Sequence, residues 1–271
     1  MYIEVGPASI VVTGEKEGGN FDFDEEEIKN LLGRILLDVG ASLPVLKQKG
    51  YRIMNPDRMP RVARKMVAAV QAIDGRSLTP MAAVAGAVAD ALREALSSKG
   101  LDFIMVNNGG DISFYNAQRK TIRAGVRDIM GGAEVPHILE IEGIMECGLA
   151  TSGFGGRSFT LGLADMATVL AVNAAVADAA ATSICNAVNV ESDKVVRRKA
   201  AEIDPSSDIA DEWITVKRGI LDESLVKRAL EKGLAWAQAL KDRQSILDAV
   251  IRLGNHSVAT SGGKKYISIR R

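Results

Sequence analysis

Apolar and polar positions alternate in short runs through the opening residues, and at Asp24 the period lengthens. From there Ile28, Leu31, Leu32, Ile35 and Val39 recur at helical spacing. The pattern predicts an amphipathic helix with Asp24 as its N-cap and Glu27 in the capping-box position. Its acidic first turn complements the helix dipole. A second helix is predicted after Pro60, through Val62, Met66, Val70 and Ile73, ending near Asp74 and Gly75. The best-marked helix follows, with Thr79 as N-cap, Pro80 at the first helical position, an alanine-rich body holding Leu92 and Leu96, and Gly100 as terminator.

Residues 102–106 then read as a short apolar strand that breaks at Asn107, Asn108, Gly109 and Gly110, residue types suited to positive backbone angles. Residues 121–126 and 137–141 alternate as half-buried strands do, and a glycine-rich loop starts at Thr151. Beyond it the pattern predicts a strand over 167–172, a helix over 174–189, a strand over 212–216, a long amphipathic helix over 223–240 and a closing strand over 266–269. The helices cluster in pairs and several strand runs follow one another directly, without a regular βαβ rhythm. That order favours an α+β fold over a doubly wound sheet. No low-complexity linker interrupts the 271 residues, so one domain is expected.

Composition narrows the function. Thirty-four basic and 34 acidic residues balance, leaving no broad positive field for a nucleic-acid backbone. Aromatic residues make up only 4% of the chain while Gly numbers 26, and alanine-rich runs span residues 82–95 and 171–187. Small residues of this kind permit close helix packing and close approach of backbone to a ligand. The two cysteines, Cys147 and Cys185, cannot build a disulfide framework and suit a reducing compartment. The opening residues hold no basic segment leading into a long apolar core, and no run reaches the roughly 18 apolar residues of a membrane span. A cytoplasmic protein with no membrane partner is expected.

Three segments could carry chemistry. On the helix from Ala174, a body of alanine and valine is interrupted by Asp178, Thr182, Asn186 and Asn189, which share one face with Cys185 nearby. A carboxylate on so apolar a helix needs a cation or hydrogen-bond donors to offset its desolvation. Asp178 and Thr182 offer two hard oxygens one turn apart, which suits magnesium completed by a ligand phosphate. The alternative is that Asp178 caps a neighbouring backbone segment or pairs with an arginine. The run Thr151, Ser152, Gly153, Phe154, Gly155, Gly156, Arg157, Ser158 combines hydroxyls, bare backbone and one guanidinium. It reads either as an anion cradle or as a tight turn with an exposed arginine. The third segment, Asn107, Asn108, Gly109, Gly110 and Asp111, reads as a ligand-facing strand end or as a plain hairpin turn.

In combination and order the three segments resemble the ApbE-like family of flavin transferases, which cleave FAD with magnesium and attach FMN to a threonine of an acceptor flavoprotein. The family's glycine-containing helix is matched by residues 81–96, with Gly86 and Asp90 in place. Its N-x-G-G-D loop is matched by residues 107–111, its TSG with a following arginine by Thr151, Ser152, Gly153 and Arg157, and its A-D-A-x-x-T motif by residues 177–182. The resemblance covers residues 79–189 and implies a T-fold-related α+β architecture. It also implies a nucleotide-like ligand such as FAD or FMN held at Asn107, Asn108, Gly109, Gly110, Asp111, Thr151, Ser152, Gly153 and Arg157. Magnesium is implied at Asp178 and Thr182, and assembly into a homo-oligomer belongs to the same expectation.

The chain departs from the family at two places. Where the family carries I-A-K-G, the residues are Ala83, Val84, Ala85 and Gly86, so Ala85 replaces the lysine that approaches the cofactor. The family's H-I-x-D-P-x-T-G segment is absent between TSG and the metal motif. Both departures resemble the family's intracellular branch, which is associated with sulfur assimilation in anaerobes. Three roles stay open: a divergent transferase, a binding or accessory protein without turnover, and an oligomeric scaffold.

Overall fold

Asp24 caps the first helix as its spacing predicts, its carboxylate accepting from the Glu27 N–H at 3.0 Å. The structure is a computed structural model and describes residues 1–126, 137–263 and 266–270. In chain order it runs β1 (Tyr2–Val5), β2 (Ala8–Lys16), β3 (Gly19–Asn20), α1 (Glu25–Leu46), α2 (Arg61–Asp74), α3 (Val84–Leu96), β4 (Phe103–Asn108), β5 (Asp111–Asn116), β6 (Ile122–Val126) and β7 (His137–Ile141). It continues with β8 (Glu146–Ser152), β9 (Met166–Ala171), α4 (Ala174–Ala187), β10 (Val195–Lys199), β11 (Trp213–Arg218), α5 (Glu223–Asp242), β12 (Asp248–Leu253), β13 (His256–Ala259) and β14 (Ile267–Arg270). The mixture is α+β, as expected, and the pairs β1–β2, β2–β4, β4–β5, β5–β8, β6–β7, β7–β14, β10–β11 and β12–β13 are antiparallel. No helix among the described residues is long and apolar enough to cross a membrane.

Met1–Thr121, Glu142–Ala150 and Leu170–Ala179 form one compact unit, and the remaining stretches form a second. In the first unit the strands run in the order β1, β2, β4, β5, β8, with Val106 opposite Val12 and Ser113, and Phe114 opposite Cys147. Its core is built from Ile10, Val12, Ile104, Val106 and Phe114 of the sheet and Ile28, Leu32, Met66, Val70, Leu92 and Leu96 of the helices, all nearly inaccessible to solvent. Burial of this apolar surface is the main stabilising force. The inward residues of α1 and α2 are largely those the spacing singled out, although Leu31 and Ile35 are only half-buried.

The second unit holds residues 166–169 of β9 beside β12 and β13, the ribbon β10–β11, and the three strands β14, β7 and β6. Helix α5 packs on β12 and β13 through Val226, Ala229, Leu230, Ala237 and Leu240. Trp236 Nε1 donates to Ser183 Oγ on α4 at 2.9 Å. Helix α4 is shared in sequence, residues 174–179 counting with the first unit and 180–187 with the second.

One boundary differs from the pattern in a way that matters. The helix expected from Pro80 begins as a 3-10 turn, Pro80–Ala83, and breaks at Ala83, whose φ of −125° and ψ of 12° are not helical. Thr79 holds the cap position without capping through its side chain. The α-helix proper therefore starts afresh at Val84.

Candidate functional site

A helix that restarts at Val84 presents its first amides without helical acceptors. Asp178 on α4 meets them, its Oδ2 accepting from the Gly86 N–H at 3.0 Å while the Ala85 amide also bonds the carboxylate. Helix α4 has the same need at its own start. There Asn173 Oδ1 accepts from the Val176 N–H at 2.9 Å. Asp90 of α3 accepts from the Ala174 N–H through Oδ1 and from the Ala175 N–H through Oδ2, each at 3.1 Å. Each of the two helices thus carries the carboxylate that caps the other.

Missing side chains allow so close a crossing. A Cβ on Gly86 would lie 2.2 Å from the Ala174 carbonyl oxygen, and one on Gly148 of β8 would lie 2.0 Å from the Ala174 nitrogen. Neither position has room for alanine, because the obstructing atoms are backbone.

The segment from Asn107 to Asp111 is a β-hairpin turn and also part of this cluster. Asn108 and Asp111 are its last paired residues, and Gly109 and Gly110 span it at φ of 66° and 116°, the positive angles that two-residue hairpin loops favour. Asn107 Oδ1 accepts from the Gly110 N–H at 2.8 Å. Asn108 is buried and donates from Nδ2 to the Ala85 carbonyl at 3.1 Å. The turn and the ligand-site readings of this segment are therefore compatible, since the turn sets Asn108 on the first turn of α3 and the charge of Asp111 near Asp178.

Asp178 is surrounded by protein yet half-buried, so solvent still reaches it. Burial pushes its carboxyl well above the ordinary value of 3.8, and the negative charges of Asp111 and then Asp90 push the same way. The Gly86 and Ala85 amides oppose them. A cation bound at the carboxylate would oppose that upward shift. Among the described residues no three His, Cys, Asp or Glu side chains are grouped to hold a metal ion. A cation at Asp178 would take its other oxygens from backbone carbonyls, water or a ligand. Such a set fits magnesium, which keeps several waters and binds through one or two carboxylates with substrate phosphates. Asp178 fits that role and also caps α3, so the alternative of backbone capping is realised at the same carboxylate.

In the second unit, Thr151 and Ser152 belong to the end of β8 rather than to a loop. Thr151 Oγ1 lies 2.9 Å from Thr168 Oγ1, and Cys185 Sγ donates to the Ser152 carbonyl at 3.0 Å. The loop itself is pinned at its base by Phe154 N–H donating to the Ala164 carbonyl at 2.8 Å. Arg218 lies over the Phe154 ring with its guanidinium carbon 5.6 Å from the centroid, and bonds Asp165 and the Leu163 carbonyl. Past Gly155 the loop is exposed, and Arg157 turns its charge to solvent. Thr182 is half-buried on α4. Farther along the same polar stripe, Asn186 accepts from the Leu161 N–H and Asn189 donates to the Leu161 carbonyl, each at 3.0 Å. Those two asparagines hold a chain segment in place.

Asp178 and the residues 107–111 are thus brought together in the first unit, while Thr151, Ser152, Gly153, Arg157 and Thr182 belong to the second. Sequence reasoning placed Asp90 only as a match to the family's helix, without a role, and did not single out Ser113 or Gly148. Asp90 carried the same signal as Asp178, a lone carboxylate on an alanine-rich helix. Both thiols are buried; burial raises Cys185 to about 12 and raises Cys147 as well. Neither is poised as a nucleophile.

A family model described as AbpE bacteria matches residues 1–262. The UPF0280 protein of Methanospirillum hungatei is 36% identical over 46% of this chain and 51% of its own. The UPF0280 protein of Methanopyrus kandleri is 33% identical over 60% of this chain and 61% of its own. The chain spans about half the length of the first curated relatives it matches. Among solved structures, a mutant of the flavin transferase ApbE from Vibrio cholerae aligns over 96% of both chains with a TM-score of 0.53 and 13% identity, a likeness of fold. The expected resemblance and α+β class are both borne out.

Proposed function

This chain belongs to the AbpE bacteria family, and from that premise we propose that it binds a flavin nucleotide, or a similar phosphate-bearing ligand, together with a divalent cation. In this reading Asp178 and Thr182 hold the cation, Asn107, Asn108, Gly109, Gly110 and Asp111 orient the ligand, and Thr151, Ser152, Gly153 and Arg157 take its phosphate. The observation that carries it is the Asp178 carboxyl, half-buried, tied to the start of α3 by the Gly86 and Ala85 amides, and facing the charges of Asp111 and Asp90. A bound magnesium ion would polarise the ligand phosphate. The exposed Arg157 side chain can close on two phosphate oxygens through its planar fork. A homo-oligomeric, cytoplasmic protein with a separate acceptor protein belongs to the same proposal.

Ala85 favours binding without fast turnover as the second reading. Its amide goes to Asp178 and its carbonyl accepts from Asn108, and no long side chain at that position extends toward a ligand. Calorimetry with FAD, FMN and ATP, with and without magnesium, tests both readings alongside chromatography for released AMP and FMN. Saturable, magnesium-dependent FAD binding that is lost in Asp178→Asn is expected. AMP released together with FMN bound covalently to an added acceptor protein would identify a transferase, AMP with free FMN a hydrolase, and binding without product an accessory protein. Absence of saturable binding to any of the three nucleotides would sink the proposal.

A further inference from the structure

Asp90 is fully buried, and both of its oxygens are committed to the start of α4. Oδ1 also accepts from Ser113 Oγ at 2.6 Å, Ser113 Oγ in turn accepts from Arg93 Nε at 2.9 Å, and Lys65 Nζ stands 3.5 Å from Oδ2. This chain of bonds closes on itself. Helix α3 carries Asp90, which holds the first turn of α4, and the next turn of α4 carries Asp178, which holds the first turn of α3. Gly86 and Gly148, packed against the backbone of Ala174 without room for a Cβ, leave the crossing little freedom to slide.

We propose that Asp90 is a positioning residue for the cation site at Asp178: it does not touch the ion, but by locking the first turn of α4 it fixes where the Asp178 carboxylate stands. The inference rests on the cation reading above. An amide could not substitute for the carboxylate, because Asp90 accepts on both oxygens and an asparagine presents N–H groups on one side. In Asp90→Asn one α4 amide would face a donor, and the first turn would rotate or fray while the glycine contacts still hold the helices together. Residues that orient a ligand from behind typically govern metal affinity by about 10- to 100-fold.

Manganese titration calorimetry on the full chain tests the inference, with circular dichroism and thermal melts recorded for each variant. Asp90→Asn should bind Mn2+ about 10- to 100-fold more weakly than the unsubstituted chain. Ser113→Ala keeps the Asp90 charge but removes the hydroxyl that braces it, so a weaker loss in the same direction separates positioning from simple charge attraction. Asp248→Asn serves as the structural control, since Asp248 is buried in the second unit and accepts from the Tyr266 and Ile267 N–H groups. It should lower the melting temperature and leave Mn2+ affinity unchanged. A folded Asp90→Asn that binds Mn2+ as tightly as the unsubstituted chain overturns the inference. If Asp90→Asn does not fold, unchanged affinity in Ser113→Ala overturns it instead. Failure of the unsubstituted chain to bind Mn2+, both alone and with ADP present, would reject the cation reading itself, a result recognisable before any variant is made.

Discussion

The crossing of α3 and α4 and the loop after β8 are both rich in glycine and polar side chains, and they use them in opposite ways. At the crossing the glycines remove side chains so that backbone can meet backbone, and Asp90, Asp178 and Asn108 spend their polar atoms on amides and carbonyls of the same cluster. In the loop, the base is pinned through Phe154 and Ser152, while the tip from Gly155 to Ser158 is exposed with Arg157 in solvent. Groups that must hold a small hard cation benefit from being fixed before it arrives, since its preferred geometry is strict. A guanidinium that meets a phosphate can order on contact, because its fork is already planar.

The largest expected difference between the two regions lies in their glycines. Gly86→Ala puts a methyl group against the Ala174 carbonyl, where only backbone movement can relieve the clash. It should cost about 3 kcal/mol or more in denaturant unfolding. Gly156→Ala places its Cβ 3.1 Å from the Gly153 carbonyl oxygen, a contact an exposed loop relieves by a small shift, at a cost of under about 1 kcal/mol. Equal losses would remove the distinction between a fixed crossing and an adjustable loop.

The sequence announced this contrast only in part. Helix positions were legible because their signals are local: Asp24 before an acidic turn, Pro60 ahead of α2, and the apolar spacing along α5. The Asn-Asn-Gly-Gly-Asp run was legible as a turn from its residue types alone. The restart of α3 at Val84 was not, because Pro80 after Thr79 is a good local helix start and the break depends on Asp178, 92 residues away, being there to accept the Gly86 amide. The cap that Asp90 gives α4 was hidden for the same reason, and so was the steric demand at Gly148, a residue of β8 that no helical or turn pattern singles out. Strands β5, β12 and β13 escaped notice because short segments take their identity from neighbours far along the chain.

Arg157 gives an intermediate effect that tests the adjustable side of the contrast. The side chain is exposed, so Arg157→Ala should change unfolding stability by less than about 0.5 kcal/mol. Its loss should nevertheless weaken FAD binding about tenfold or more, the scale of a charge-assisted bidentate contact. Asn107→Ala should behave the other way round. It removes the acceptor for the Gly110 N–H within the hairpin, and stability should fall by about 1 kcal/mol. An Arg157→Ala variant with unchanged FAD affinity would mean that the loop is only a turn.

The smallest effect concerns the cysteines, one in each unit. Burial raises both thiols, Cys185 to about 12 from an ordinary value of 9.0. Between those two values the folded chain keeps the Cys185 proton that the unfolded chain releases. The contribution of this group to stability is therefore full below about pH 9 and is lost as pH rises toward 12. At pH 8 neither thiol should react quickly with a disulfide reagent in the native protein, and both should react once it is unfolded. Single-cysteine variants sharpen the comparison. Cys185 donates to the carbonyl of Ser152 at the base of the adjustable loop, so in Cys147→Ser it should be labelled through local opening. Cys147 pairs opposite Phe114 in the sheet, and in Cys185→Ser it should be labelled only at the rate of global unfolding. Labelling of Cys185 that is as slow as that of Cys147, and equally sensitive to denaturant, would show that the base of the loop is as firmly held as the sheet.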